Sequence, residues 1–154
     1  MRIQGLLPVT AGLVLFVAAA STHAAAPTAC QLLNPDAASS LMGSPASAPV
    51  DMQGRGCAYS DKAGSKSVSF TFNDASMSVG DFTMMMKSQG GMGGTVETIP
   101  GVGEQNFFFI KPGNQNTFTV YYHGKMLTLS AQMKMTPALK TAMIQTMKQI
   151  LAKI

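Results

Sequence analysis

Apolar and polar residues alternate most regularly at "SVSFTF", where Val68, Phe70 and Phe72 are separated by Ser67, Ser69 and Thr71. A period of two places the apolar side chains on one face of a strand and the hydroxyls on the other. "GCAYS" precedes this stretch across the turn "DKAGS", so the two together predict a hairpin with one buried face. Four more strands are predicted at "TVETI", "NFFFI", "TFTVYY" and "MLTLSAQM". After Pro137 the period changes. Leu139, Met143, Met147, Ile150, Leu151 and Ile154 recur at helical spacing, with Thr141, Gln145, Lys148 and Gln149 on the opposite side. A short helix is bounded by Asn34 as cap, Pro35 at its first position and Gly43 as its stop, and a turn from Cys30 to Leu33 precedes it. A further helix suits residues 74–89, and the Gly, Ser and Asn clusters at 60–66, 88–94 and 112–116 read as loops.

The predicted order is α-β-β-α-β-β-β-β-α. Strands joined by short turns favour an antiparallel arrangement, so the expected fold is α+β: a single antiparallel sheet with helices packed on one face. After Met1 is removed with the N-terminal segment, methionine outnumbers leucine twelve to seven, and methionine is expected to do leucine's packing work. Met143 and Met147 in the final helical stripe, and Met133 and Met135 beyond Leu127, Leu129 and Ala131, are expected in the core. "NFFFI" breaks the alternation, with Phe107 and Phe109 on one side and Phe108 and Ile110 on the other. Either the strand is covered on both sides or an apolar patch is exposed. The expectation carried forward is a contact patch at Phe108 and Ile110.

Residues 1–24 have the form of a signal peptide: Arg2, an apolar run from about Gly5 to Ala20, and small Thr22 and Ala24 at the −3 and −1 positions of a cleavage site. The run is interrupted by Pro8 and Thr10 and is short for a membrane span, which needs about 20 apolar residues. "PTAC" does not read as a lipoprotein signal, because Pro27 stands where an aliphatic residue is required. Residues 25–154 are thus expected to be a single exported domain, periplasmic or secreted, with no membrane span after cleavage. Export changes the meaning of the two cysteines. In an oxidising compartment Cys30 and Cys57 most simply form one disulfide. A metal pair or a redox pair is the competing reading, but the C-x-x-C spacing is absent and no histidine lies nearby.

Little else points to chemistry. The net charge of +4 falls to +3 without Arg2, the lysines are dispersed and Arg55 is the one arginine left, so no basic stripe for nucleic acid can be drawn. Glu97, Glu104, Asp74 and Asp81 form no recognisable acid-base set. "PGVGE" holds Gly-x-Gly but is followed by a strand, which suits a tight turn and not a nucleotide loop. His123 in "YYHGK" fits a two-residue hairpin turn with Gly124. Neither an enzyme nor a cofactor is implied. Met84, Met85 and Met86 are different, since three consecutive helical residues span about 200° and one of them should be exposed. With Met92 in "GGMGG" they form a thioether group of the kind that suits Cu(I) or Ag(I).

"CQLLNPDAASSLMG", "GCAYS", "GVGEQNFFF" and "VYYHGKMLTLS" occur in that order. Together they resemble a group of small exported bacterial domains, many of them lipoproteins of unknown function. They are similar in pattern to the extracellular sensor domains of some mycobacterial serine/threonine kinases. The resemblance implies a non-enzymatic envelope domain with a Cys30–Cys57 disulfide that binds or senses a small ligand or an envelope protein. It supplies no catalytic residue. The alternative function is a methionine-based Cu(I) or Ag(I) binding protein.

Overall fold

In a computed structural model, which describes residues 26–90 and 94–154, the first elements are two short helices, α1 (Ala29–Leu32) and α2 (Pro35–Met42). Three strands follow, β1 (Val50–Met52), β2 (Gly56–Ser60) and β3 (Ser67–Asp74), and then helix α3 (Val79–Gly90). Strands β4 (Thr95–Glu97), β5 (Gln105–Lys111), β6 (Gln115–Tyr122) and β7 (Lys125–Gln132) lead to the closing helix α4 (Pro137–Leu151). All pairings are antiparallel in one seven-stranded sheet of order β1-β2-β3-β7-β6-β5-β4. The expected α+β fold is therefore observed. The expected signal peptide and Met92 lie outside the described residues.

Local signals explain the ends of the elements. Asn34 Oδ1 accepts from the Ala37 N–H at 2.9 Å, Pro35 occupies the first turn of α2, and Gly43 ends the helix at φ 63°. Lys66 Nζ donates to the Met42 carbonyl at 2.8 Å, placing a cation at the negative end of the helix. Thr136 Oγ1 caps α4 by accepting from the Leu139 N–H at 3.1 Å. His123 (φ 47°) and Gly124 (φ 70°) form the expected two-residue turn between β6 and β7, with both central residues left-handed as such a hairpin requires.

The register puts one apolar row across five strands. Cys57 faces Phe70, Phe70 faces Leu129, Leu129 faces Phe118, and Phe118 faces Phe108; all five are fully buried. Above this row sit Leu33 after α1, Leu41 and Met42 of α2, and Leu139, Met143, Met147 and Ile150 of α4. The Cys30–Cys57 disulfide ties α1 to β2, and Tyr59 Oη donates to the Leu33 carbonyl at 2.9 Å nearby. Burial pushes the Tyr59 hydroxyl pKa upward, so it stays a donor throughout the physiological range.

Three details differ from the expectation. β1 is an extra edge strand whose three residues are all exposed, so it has no buried face. β3 runs to Asp74, where Lys125 Nζ donates to Asp74 Oδ1 at 3.1 Å, and α3 begins later, with Ser78 Oγ accepting from the Asp81 N–H. The third bears on function. α1, α2 and α4 share one face of the sheet, but the buried residues of α3, Phe82 and Met86, pack with Phe107 in a separate cluster. Phe107 pairs with Thr119, which pairs with Thr128, which pairs with Thr71, so this cluster lies on the hydroxyl-bearing face. Helices therefore cover both faces, because Phe107, Tyr121 and Met126 make an apolar island that the helix closes.

Met143 has no exposed surface in the main core. Met143→Leu is expected to cost less than about 1.5 kcal/mol and Met143→Ala about 2–5 kcal/mol, read from denaturant midpoints at unchanged slope.

Candidate functional site

The hydroxyl face is wider than α3. Phe82 meets Phe107 edge-on with ring centroids 5.5 Å apart and lies 6.0 Å from Tyr121, which anchors the helix over one side of the sheet. Beside it a groove of about 310 Å³ remains open. Phe82, Met85 and Met86 form its helical wall, Thr117, Thr119 and Thr128 its floor, and Phe109, Met126, Lys111 and Gln115 complete it. Thr119 Oγ1 and Thr128 Oγ1 lie 3.3 Å apart, a hydroxyl pair that can donate to or accept from a ligand. A second depression of about 320 Å³ shares Gln115 and Thr117 and continues across Ser69 and Ser130.

Gly94, at the end of the glycine spacer, backs onto Phe109 of the wall. At Gly94 an added Cβ would collide with the Phe109 ring, so the backbone there lies flat against that ring. "PGVGE" serves a different purpose. Gly103 adopts φ 63°, a Cβ there would strike Val120, and the Asn106 amide donates to the carbonyls of Ile99 and Val102 at 2.8 and 2.7 Å. The segment is thus a turn clamped against β6, as expected, and not a phosphate loop.

The structure separates the methionines that are adjacent in sequence. Met84 is 71% exposed, Met85 36% and Met86 4%, so the three fan out and only Met85 and Met86 line the groove. Met126 joins them from β7. Sequence reasoning missed it, although the signal was present: Met126 has the opposite parity to Leu127 and Leu129 and so must face away from the main core.

Phe108 and Ile110 do not form the expected contact patch. Phe108 is completely buried beneath α4, with Lys140 Nζ 5.7 Å from its ring centroid, and Ile110 is half-buried against the same core. The break in alternation does mark the site, but from the other side of the strand, where half-buried Phe109 borders the groove.

The carboxylates singled out from the sequence stay apart. Glu97 pairs with Lys140, Glu104 with His123 and Asp74 with Lys125, and Asp81 accepts from the Ser78 hydroxyl. The Lys125 hydrogen bond and charge hold the Asp74 pKa below the usual carboxylate value. The Ser65 hydroxyl does the same for Asp61 in its turn. Among the described residues no three His, Cys, Asp or Glu side chains gather into a metal-binding group. No protein-family model and no curated protein matches this chain.

Two outcomes test these placements. Phe108→Ala is expected to destabilise by about 3–5 kcal/mol, whereas a surface residue would change the unfolding midpoint little. Under mild peroxide, peptide mapping is expected to find sulfoxide at Met84 and Met85 well before Met86, whose thioether is shielded by Phe82 and Phe107.

Proposed function

We propose that this chain is a non-enzymatic, exported envelope domain that binds a small amphiphilic ligand in the groove between α3 and the hydroxyl face of the sheet. The lining of that groove carries the reading: thioether and aromatic walls over a threonine floor, with Lys111 its one ionisable side chain. Pockets for small molecules are mostly apolar with a few placed polar groups, and a volume of about 310 Å³ sits at the small end of their range. Apart from Lys111, none of the lining side chains is a usual general acid or base.

Export is supported by the signal-like residues 1–24 and by the commitment of both cysteines to a disulfide, a bond that persists in oxidising compartments. Among the described residues no helix is long and apolar enough to cross a membrane. The resemblance to exported sensor domains points to the same class of role.

Anilinonaphthalene sulfonate is a suitable probe, since its rings match the Met and Phe wall and its sulfonate can reach toward Lys111. Saturable fluorescence enhancement is expected with the folded protein. Thr117→Trp, a residue well tolerated on a sheet surface, should fill the groove and abolish the signal without altering cooperative unfolding. No saturable binding, or binding unchanged in Thr117→Trp, would overturn the assignment of the groove.

A further inference from the structure

Within that reading of the groove as a ligand site, the thioethers have a chemistry of their own. Three of them, from Met85, Met86 and Met126, line one groove although they come from two distant parts of the chain. Met86 is nearly buried and Met126 packs against the same small cluster, while Met85 stands at the rim. Thioethers are soft, uncharged donors, and they select soft cations over the hard divalent ions that carboxylates and carbonyls hold. We infer that the groove has a subsite for a soft monovalent cation, Cu(I) or Ag(I), held by the thioethers of Met85, Met86 and Met126.

Three further features favour this cation at this place. Both cysteines are locked in the Cys30–Cys57 disulfide, so no thiol competes for a soft metal. His123, the one histidine outside the first 24 residues, is exposed in the β6–β7 turn and does not line the groove. The lysine that does line it is remote from Met126 along the sheet. Lys111 pairs with Gln115 whereas Met126 pairs with Tyr121, and six residues of strand separate those partners by about 20 Å. Charge repulsion from Lys111 is therefore weak at Met126, and the threonine floor between them is neutral.

A cation bound there would link α3, through Met85 and Met86, to β7, through Met126. Such a bridge stabilises the folded state by mass action. It also occupies the sulfur lone pairs that peroxide attacks. None of the three donors carries a titratable proton, so affinity should not change with pH in the range where histidine sites lose metal.

The test uses silver nitrate in chloride-free buffer, which needs no reductant and leaves the disulfide intact, with protein labelled at the methionine methyl carbons. One Ag(I) per chain is expected to shift the methyl resonances of Met85, Met86 and Met126 and to leave Met84 unmoved. Replacing all three by Leu, which is nearly isosteric, should abolish binding. Should that variant fail to fold, Met126→Leu alone should weaken binding by at least about tenfold, or 1.4 kcal/mol. Affinity should be equal at about pH 5.5 and about pH 7.5. Shifts at Met84 or Met92 in place of these three, silver binding retained in the Leu variants, or a marked loss at the lower pH would each overturn the subsite. No silver binding by the unsubstituted protein, with its probe fluorescence intact, would overturn this subsite and leave the groove reading standing, whereas absence of both would remove the groove reading as well.

Discussion

The pairing of β3 with β7 holds the architecture together. Eight residue pairs, from Ser67 with Gln132 to Asp74 with Lys125, join strands that more than fifty positions of chain separate. Without that ladder the β1-β2-β3 and β4-β5-β6-β7 meanders would be two separate sheets, and the apolar row from Cys57 to Phe108 would be cut between Phe70 and Leu129. The ladder also sets register. A one-residue slip would turn Leu127, Leu129 and Ala131 outward and bring Thr128 and Ser130 under α4, so the hydrophobic pattern permits one alignment. Closing so long a loop is entropically costly and must precede much of the apolar gain, which marks this step as a slow one in folding.

Two local devices support the long-range pairing. The disulfide fixes α1 against β2 and removes entropy from the unfolded chain, an effect of about 3–4 kcal/mol for a loop of this length in the chain-entropy model. Methionine supplies the adaptable filling. Met42, Met143 and Met147 are buried in the main core, and Met86 with Met77 and Met126 builds the smaller one under α3. The unbranched thioether chain fits gaps between aromatic rings that a branched side chain would not.

Much of this fold was legible in the sequence because alternation and helical spacing are direct records of burial. Val68, Phe70 and Phe72, the α4 stripe up to Leu151, the His123–Gly124 turn and the cysteine pair all follow from local rules. What was not legible depends on contacts between elements. The segment containing α3 reads as a helix, but nothing local says which face of the sheet it covers. That choice follows from the apolar island of Phe107, Tyr121 and Met126, which exists only once β5, β6 and β7 are in register. For the same reason the parity of Phe108 and Phe109 was readable, while the side left partly open was not. Ile154 continues the apolar spacing of α4 yet lies beyond its end and is exposed.

The outermost strands of the sheet, β1 and β4, are each three residues long, whereas the strands inside them run from five to eight. An incoming strand from a second molecule would therefore find little free ladder on either side, and at β1 it would meet Asp51 and the left-handed bend at Gln53 and Gly54. Short, charged and kinked borders are the means by which antiparallel sheets avoid joining end over end into polymers. For a chain whose inner strands are rich in Phe, Val and Leu, this truncation of the borders leaves the aggregation-prone segments inside the sheet, paired on both sides along most of their length.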